Sequence, residues 1–257
     1  MTPLETFLIE TADGAGKILI KYFNKTRHVR WKRGAGIVTE ADGASEKYIL
    51  KNIFRKFPKS SIITEESGEY PGDSLCWVID PLDGTSNYAH GFPYFCVSIG
   101  VRDQGVLRAG VVYNPLLREM FVAETGKGTK LNGRRIRVST NSEMRSALLG
   151  TGFYYSKGNR LREETEIFRR VNEKTLAVRR PGAAALDLAY VACGRYDGFW
   201  ERGLSAWDVA AGWVLIAEAG GRISGYDGKP TDIFARNIVA SNGAIHKRLF
   251  NAIRGRQ

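Results

Sequence analysis

The chain has 257 residues, 43% hydrophobic and 25% charged, the balance of a globular enzyme with room for a large buried core. No run approaches the ~18 apolar residues that would span a bilayer, and the first ten residues lack the basic and apolar regions of a secretory signal, so we expect a cytoplasmic protein with no membrane partner. Lys and Arg exceed Asp and Glu by 11 charges, which helps to attract an anionic substrate and permits nucleic-acid contact. The basic residues are scattered, with local groups only at Arg160 and Arg162, Arg169-Arg170 and Arg179-Arg180.

Residues 4–23 put Leu4, Phe7, Leu8, Ala12, Ala15, Ile18, Leu19 and Phe23 largely on one helical face. A second helix over 41–57 turns Ala44, Tyr48, Ile49, Ile53, Phe54 and Phe57 inward and stops at Pro58. Apolar runs at 61–64, 76–79, 96–102, 106–113 and 119–123 read as strands. Asp103-Gln104-Gly105 forms a hairpin turn and Asn132-Gly133, within 128–136, a second one. Then come a helix at 161–173, a strand near 175–179, a helix at 183–193 and a strand at 197–201. An apolar helix at 207–219 is stopped by Gly220-Gly221, and strands at 222–224 and 238–240 precede a closing helix near 243–253. A strand-rich first part followed by alternating helices and strands predicts a layered α/β fold. The boundary falls near 140–150, so that 1–145 and 146–257 form two parts of one compact unit. Cys76, Cys96 and Cys193 are far apart in apolar surroundings, which suits buried thiols better than a disulfide or a zinc site.

The most informative segment is Trp77-Val78-Ile79-Asp80-Pro81-Leu82-Asp83-Gly84-Thr85. It predicts an apolar strand that ends abruptly at Asp80, because Pro81 cannot continue a central strand. Two acids at a buried strand end repel each other and need a cation to compensate them. Oxygen-only ligands favour Mg2+, which accepts one or two carboxylates plus water and phosphate oxygens. Gly84 lets the backbone approach a ligand, and a helix beginning near Thr85 would aim free N–H groups at an anion. Ile62-Ile63-Thr64-Glu65-Glu66 is another apolar strand ending in acids. Asp208, in Trp207-Asp208-Val209-Ala210, opens an apolar helix, where an acid commonly serves only as a cap.

At these residues the sequence resembles the inositol monophosphatase family of Mg2+-dependent, lithium-sensitive phosphatases. The first signature of that family is similar to Trp77 through Tyr88, continuing to His90-Gly91-Phe92-Pro93. The second is similar to Trp207-Asp208-Val209-Ala210-Ala211-Gly212, continuing to Glu218-Ala219-Gly220-Gly221. Val38-Thr39-Glu40-Ala41-Asp42, Thr64-Glu65-Glu66-Ser67 and the stretch from Arg180 to Ala189 match further family segments in order. Within the family, the chain looks closest to bacterial inositol-1-monophosphatases of the extragenic-suppressor type.

The resemblance implies a five-layer αβαβα sandwich of the sugar phosphatase type, a homodimer, and two to three Mg2+ per active site. It implies that Glu65, Asp80 and the Leu82 carbonyl hold one ion, that Asp80, Asp83 and Asp208 hold a second, and that a weaker third lies near Glu65. Asp42 and Thr85, with Glu65, would activate the attacking water. Gly84 and Thr85 would cradle the phosphate, and Asp83, Gly182, Ala183, Ala184, Glu201 and Asp208 would face the substrate. Lys32 matches a basic residue near the site. Hydrolysis would proceed by direct in-line attack of water with no phosphoenzyme, since no nucleophile motif surrounds the cysteines and His90 reads as structural. The substrate would be inositol monophosphate or a related polyol or sugar phosphate. Fructose 1,6-bisphosphate, histidinol phosphate and a 3′-phosphonucleotide remain alternatives, with selection by Glu201, Arg179, Arg180 and loop 152–158. A contact with RNA or the transcription machinery is the alternative of another class.

Overall fold

Thr2 opens the first helix, α1 (Pro3–Tyr22): its side chain accepts from the Glu5 N–H, and Pro3 takes the position where no N–H is needed. The computed structural model describes residues 1–25, 29–31, 36–153 and 158–255. A short hairpin, β1 (Val29–Trp31) and β2 (Ile37–Thr39), leads into α2 (Glu40–Lys56). Then follow β3 (Ser61–Thr64), β4 (Gly68–Tyr70), β5 (Leu75–Asp83), the one-turn helix α3 (Thr85–Ala89), β6 (Cys96–Asp103), β7 (Val106–Asn114), β8 (Glu119–Glu124), β9 (Gly128–Leu131) and β10 (Arg134–Arg135). The second half contains β11 (Leu148–Thr151), α4 (Asn159–Asn172), β12 (Ala177–Arg179), α5 (Ala184–Ala192), β13 (Gly198–Arg202), α6 (Ala206–Glu218), β14 (Arg222–Gly225), β15 (Asn237–Ser241) and α7 (His246–Arg254).

The strands form two mixed sheets, an eight-stranded one ordered β10-β9-β8-β7-β6-β5-β3-β4 and a five-stranded one ordered β12-β11-β13-β15-β14. Alternation along the strands tells which layer covers which face. In β5, Trp77 and Ile79 pack with Phe7, Leu8, Leu19, Ile49 and Ile53 of α1 and α2. Val78 points the other way, joining Leu188, Val191, Val209 and Leu215 of α5 and α6. In β13, Phe199 packs into that same middle layer, whereas Trp200 faces Ile167, Val171, Leu249 and Ile253 of α4 and α7. The result is the expected αβαβα order: α1 and α2, the large sheet, α5 and α6, the small sheet, α4 and α7.

Small residues let the middle layer press closely on the large sheet. A Cβ built on Gly100 of β6 would lie 2.6 Å from the Ala210 Cβ, and one on Gly110 of β7 would lie 2.7 Å from the Ala211 Cα. Real Cβ atoms do not tolerate such contacts, so the first half of α6 lies directly on β6, the neighbour of β5, and on β7 beyond it. Ser98 of β6 donates to the Trp207 carbonyl (3.3 Å), which fixes the helix end that carries Asp208.

Four expectations need correction. β5 does not stop at Asp80 but runs on to Asp83 through an irregularity in its pairing with β6. Pro81 is accommodated there because a bulged position needs no ladder N–H. Phe54 is not turned inward: it is 36% exposed, lying edge-on to Tyr70 of the short strand β4 at 5.6 Å. Only Cys96 is fully buried, since Cys76 and Cys193 lie at element ends and are partly buried; all three thiols are free. Finally, β1, β2, β4 and β11 are strands that the sequence reading lacks.

Candidate active site

The pairing irregularity in β5 decides the geometry of the site. Asp80 sits opposite Ser98 and Asp83 opposite Cys96, so three steps along β5 correspond to two along β6. In a regular strand, residues three apart point to opposite faces. The extra residue of the bulge cancels that difference, and both carboxylates line the same cleft. Ser45 of α2 donates to the Pro81 carbonyl (2.8 Å), holding the bulge from the opposite side.

The cleft has a volume of about 490 Å3. Of the residues singled out from the sequence, Glu65, Asp80, Leu82, Asp83, Gly84, Thr85, Gly182, Ala184, Glu201 and Asp208 line it. Asp42 lies just behind the wall, fully buried. Ala183 is also buried behind the lining, 3.2 Å from where a Cβ on Gly84 would sit. Lys32 and residues 154–157 of the loop 152–158 lie outside the described residues. Arg180 reaches the cleft, while Arg179 is not in its lining.

Each acid is held by its own element. Asp80, 2% exposed, accepts from the Leu82 N–H (3.0 Å) across the bulge. Asp83 accepts from the Ala185 N–H of α5 (2.7 Å) and from the Cys96 thiol (3.7 Å). Asp208 is the third residue of a capping box and accepts from the Ser205 N–H (2.7 Å). The cap reading and the site reading are thus both met by one side chain. Asp42 is likewise the third residue of a capping box, accepting from the Thr39 N–H (2.8 Å) and hydroxyl (2.6 Å). Its other oxygen faces the Thr85 hydroxyl (3.1 Å), which also lies 3.0 Å from the Leu82 carbonyl. Thr85 therefore bridges the buried acid and the cleft.

Burial and crowding push these carboxyls upward. Burial is the main cause for Asp80, with Glu65, Asp83 and Asp208 adding to it. Burial also raises Asp83, to about 6, against the pull of the Ala185 N–H. Asp208 and Glu201 rise for the same first reason, Asp208 next through Asp83 and Glu201 next through Asp187. Both open partly onto the cleft, so solvent tempers the effect for them more than for Asp80. Asp42 is raised to about 6 by burial, opposed by its two bonds from Thr39. Among the described residues, no three or more Asp, Glu, His or Cys side chains are placed to hold one ion by themselves, the Asp80, Asp83 and Asp208 set included. One oxygen of each of those three is already tied to a backbone N–H, and like charges repel.

The sequence family model described as "Inositol monophosphatase family" matches residues 1–257. The chain belongs to the inositol monophosphatase family. An inositol-1-monophosphatase of Synechocystis is 44% identical over 256 residues, spanning 97% of this chain and 89% of that protein. A Nus factor SuhB of Pseudomonas aeruginosa is 41% identical, spanning 98% of this chain and 96% of its own length. The crystal structure of extragenic suppressor protein suhB from Bartonella henselae superposes with a TM-score of 0.94 at 38% identity, covering 98% and 99% of the two chains. As a member of the inositol monophosphatase family, the chain is a phosphatase of that superfamily with the family's fold.

Several cleft residues have no signal in the sequence. Arg202 follows Glu201 on β13, and Arg236 lies just before β15. With Arg180 they add three cations to the lining. Arg236 donates to the Gly203 carbonyl (2.9 Å), and Arg202 donates to Glu163 (2.9 Å). Only the antiparallel pairing of β13 with β15 brings these two positions together. Gly152, just after β11, and Phe153 belong to the loop 152–158 expected to select the leaving group, and both line the cleft.

Proposed function

We propose that the protein is an Mg2+-dependent phosphomonoesterase that hydrolyses inositol monophosphate or a related small polyol or sugar phosphate. One observation carries the reading: Glu65, Asp80, Asp83 and Asp208, from three separate segments, line a single cleft. The donor set is all oxygen, and Leu82, whose carbonyl lies 3.0 Å from the Thr85 hydroxyl, is in the same lining. Mg2+ uses one or two carboxylates and completes its shell with water and phosphate oxygens. The arrangement therefore suits ions completed by the substrate rather than closed protein cages. Glu65, Asp80 and the Leu82 carbonyl would hold one ion; Asp80, Asp83 and Asp208 would contribute to a second, and a weaker third would lie near Glu65.

When bound, Mg2+ neutralises the phosphate dianion, lowers the pKa of water and stabilises the departing alkoxide. The protein's own groups orient the reaction. Thr85, fixed between Asp42 and the Leu82 carbonyl, positions the attacking water with Glu65. Asp42, pushed up to about 6, titrates close to neutrality, where a proton acceptor works best. The backbone N–H groups of Gly84 and Thr85 hold the phosphate oxygens. Glu201 takes hydroxyls of the leaving group, and Gly182, Ala183 and Ala184 shape the wall behind it.

Phosphate release from inositol 1-phosphate, fructose 1,6-bisphosphate, histidinol phosphate and a 3′-phosphonucleotide, with and without Mg2+, tests the reading and ranks the substrates. Preference for the monophosphate supports it. The three arginines of the lining favour a second anionic group, so faster turnover of the bisphosphate would replace the monophosphate reading. Inhibition by Li+ and a homodimer in sedimentation are expected from the family. No helix among the described residues is long and apolar enough to cross a membrane.

A second reading adds a role in a transcription complex. It is supported by the 41% identity to a protein named Nus factor SuhB and by the net charge of +11. Salt-sensitive RNA binding that survives Asp80→Asn would support it; absence of binding at low salt would remove it.

A further inference from the structure

Gly152 and Glu201 stand side by side at the open ends of two parallel strands, since β11 pairs with β13 with Thr151 opposite Trp200. A Cβ built on Gly152 would lie 2.2 Å from Cδ, Oε1 and Oε2 of Glu201. Gly152 is not among the glycines with positive φ, so its backbone would accept a side chain. What excludes one is the Glu201 carboxylate, which occupies the space that a Cβ on Gly152 would need. The other cleft glycines, Gly36, Gly84, Gly182 and Gly203, have positive φ, which explains them differently.

We infer that Gly152 is a positioning residue for leaving-group specificity: by having no side chain it seats the Glu201 carboxylate against the end of β11 and keeps the leaving-group side of the cleft wide. A carboxylate is the mobile end of its side chain, so adding a methyl at 152 displaces that group and not the strand. Both residues line the same cleft, and displacement away from β11 narrows it. Arg180, which also lines the cleft, lies near enough to draw the Glu201 carboxyl downward electrostatically and sits 6.0 Å from the Phe153 ring. A shifted carboxylate thus also disturbs this rim. A ring polyol, which fills the space and uses several hydroxyls, suffers more than a short acyclic leaving group.

The inference rests on the proposed role of Glu201. The test is a double-mutant cycle of Gly152→Ala and Glu201→Ala, with kcat and KM measured in Mg2+ for inositol 1-phosphate and for glycerol 2-phosphate. Gly152→Ala should lower the ratio of kcat/KM between the ring and acyclic substrates about 10-fold, mainly through KM, the scale of one methylene in a tight pocket. In the Glu201→Ala background the obstructing group is gone, so adding Gly152→Ala should leave the ratio within about 2-fold. A general loss of structure would instead depress both substrates and both backgrounds alike. If Glu201→Ala shifts the ratio while Gly152→Ala does not, the inference is overturned and the role of Glu201 stands. If Glu201→Ala leaves the ratio unchanged, the role of Glu201 falls and the inference with it. Should Gly152→Ala alone melt too low to assay, the double variant against Glu201→Ala still decides, and a tenfold drop there overturns the inference.

Discussion

Asp80→Asn should make the protein more stable in chelator and less stable than the wild type in Mg2+. Asn has nearly the shape of Asp and keeps an oxygen for the Leu82 N–H, now 3.0 Å away. Only the charge changes. Asp80 is 2% exposed and feels Glu65, Asp83 and Asp208. At an effective dielectric of about 20, a like-charge pair ~6 Å apart costs about 3 kcal/mol. Proton uptake relieves part of that, so removing the charge should contribute about 2 kcal/mol. For a domain of this size, 1 kcal/mol moves Tm by about 2–4 °C, so the variant should melt roughly 5 °C higher in EDTA. Saturating Mg2+ at ~100 times Kd stabilises the wild type by about 2.7 kcal/mol, and most of this is lost in the variant, so the order reverses. Melting curves of both proteins with EDTA and with excess Mg2+ read the crossing directly. A variant destabilised equally in both conditions would refute the reasoning, because Asp80 would then be a structural group and not a cation ligand.

Thr85→Ala removes the hydroxyl shared by Asp42 and the Leu82 carbonyl; kcat should fall about 100-fold with KM little changed, read by steady-state phosphate release. A parallel rise in KM would instead mark Thr85 as a binding group. Stability should decline in mild acid through His246. This residue is 1% exposed, bonded to Ser241 and Ser224 at 2.9 Å each, and lowered from 6.5 to about 4 by burial and then by Arg222. Between these values the unfolded chain binds the proton and the folded one does not, so stability rises with pH across this window. The contribution is complete above pH ~6.5 and is lost as pH falls toward ~4, by about 3 kcal/mol. Urea midpoints for wild type and His246→Gln should differ in slope only in that range; identical pH profiles would remove His246 as the cause.

Much of the layered architecture can be read locally, because long helices and alternating strands carry their own periodicity. The short strands cannot: β1, β2 and β4 have three residues each, and β11 contains Gly150, so their pattern is too brief to register. The acids show a similar division. Asp80 and Asp83 stand out because charge follows an apolar run, whereas the bulge that turns both into one cleft depends on how β6 pairs. Asp208 looks like any helix cap until Gly100 and Gly110 let α6 settle on the sheet. Arg202 and Arg236 converge only through the β13–β15 ladder. The space that Gly152 leaves for Glu201 exists only between neighbouring strands, and the chain around residue 152 carries no trace of it.

The central claim is that carboxylates from separate segments act together to make phosphate hydrolysis depend on a divalent cation. Phosphate release from inositol 1-phosphate by the wild type and by Asp208→Asn, each with Mg2+ and with EDTA, tests it most directly. Turnover should appear only in the wild type with Mg2+, with circular dichroism unchanged in the variant. Wild-type turnover in EDTA, or a fully active Asp208→Asn protein, would contradict the account.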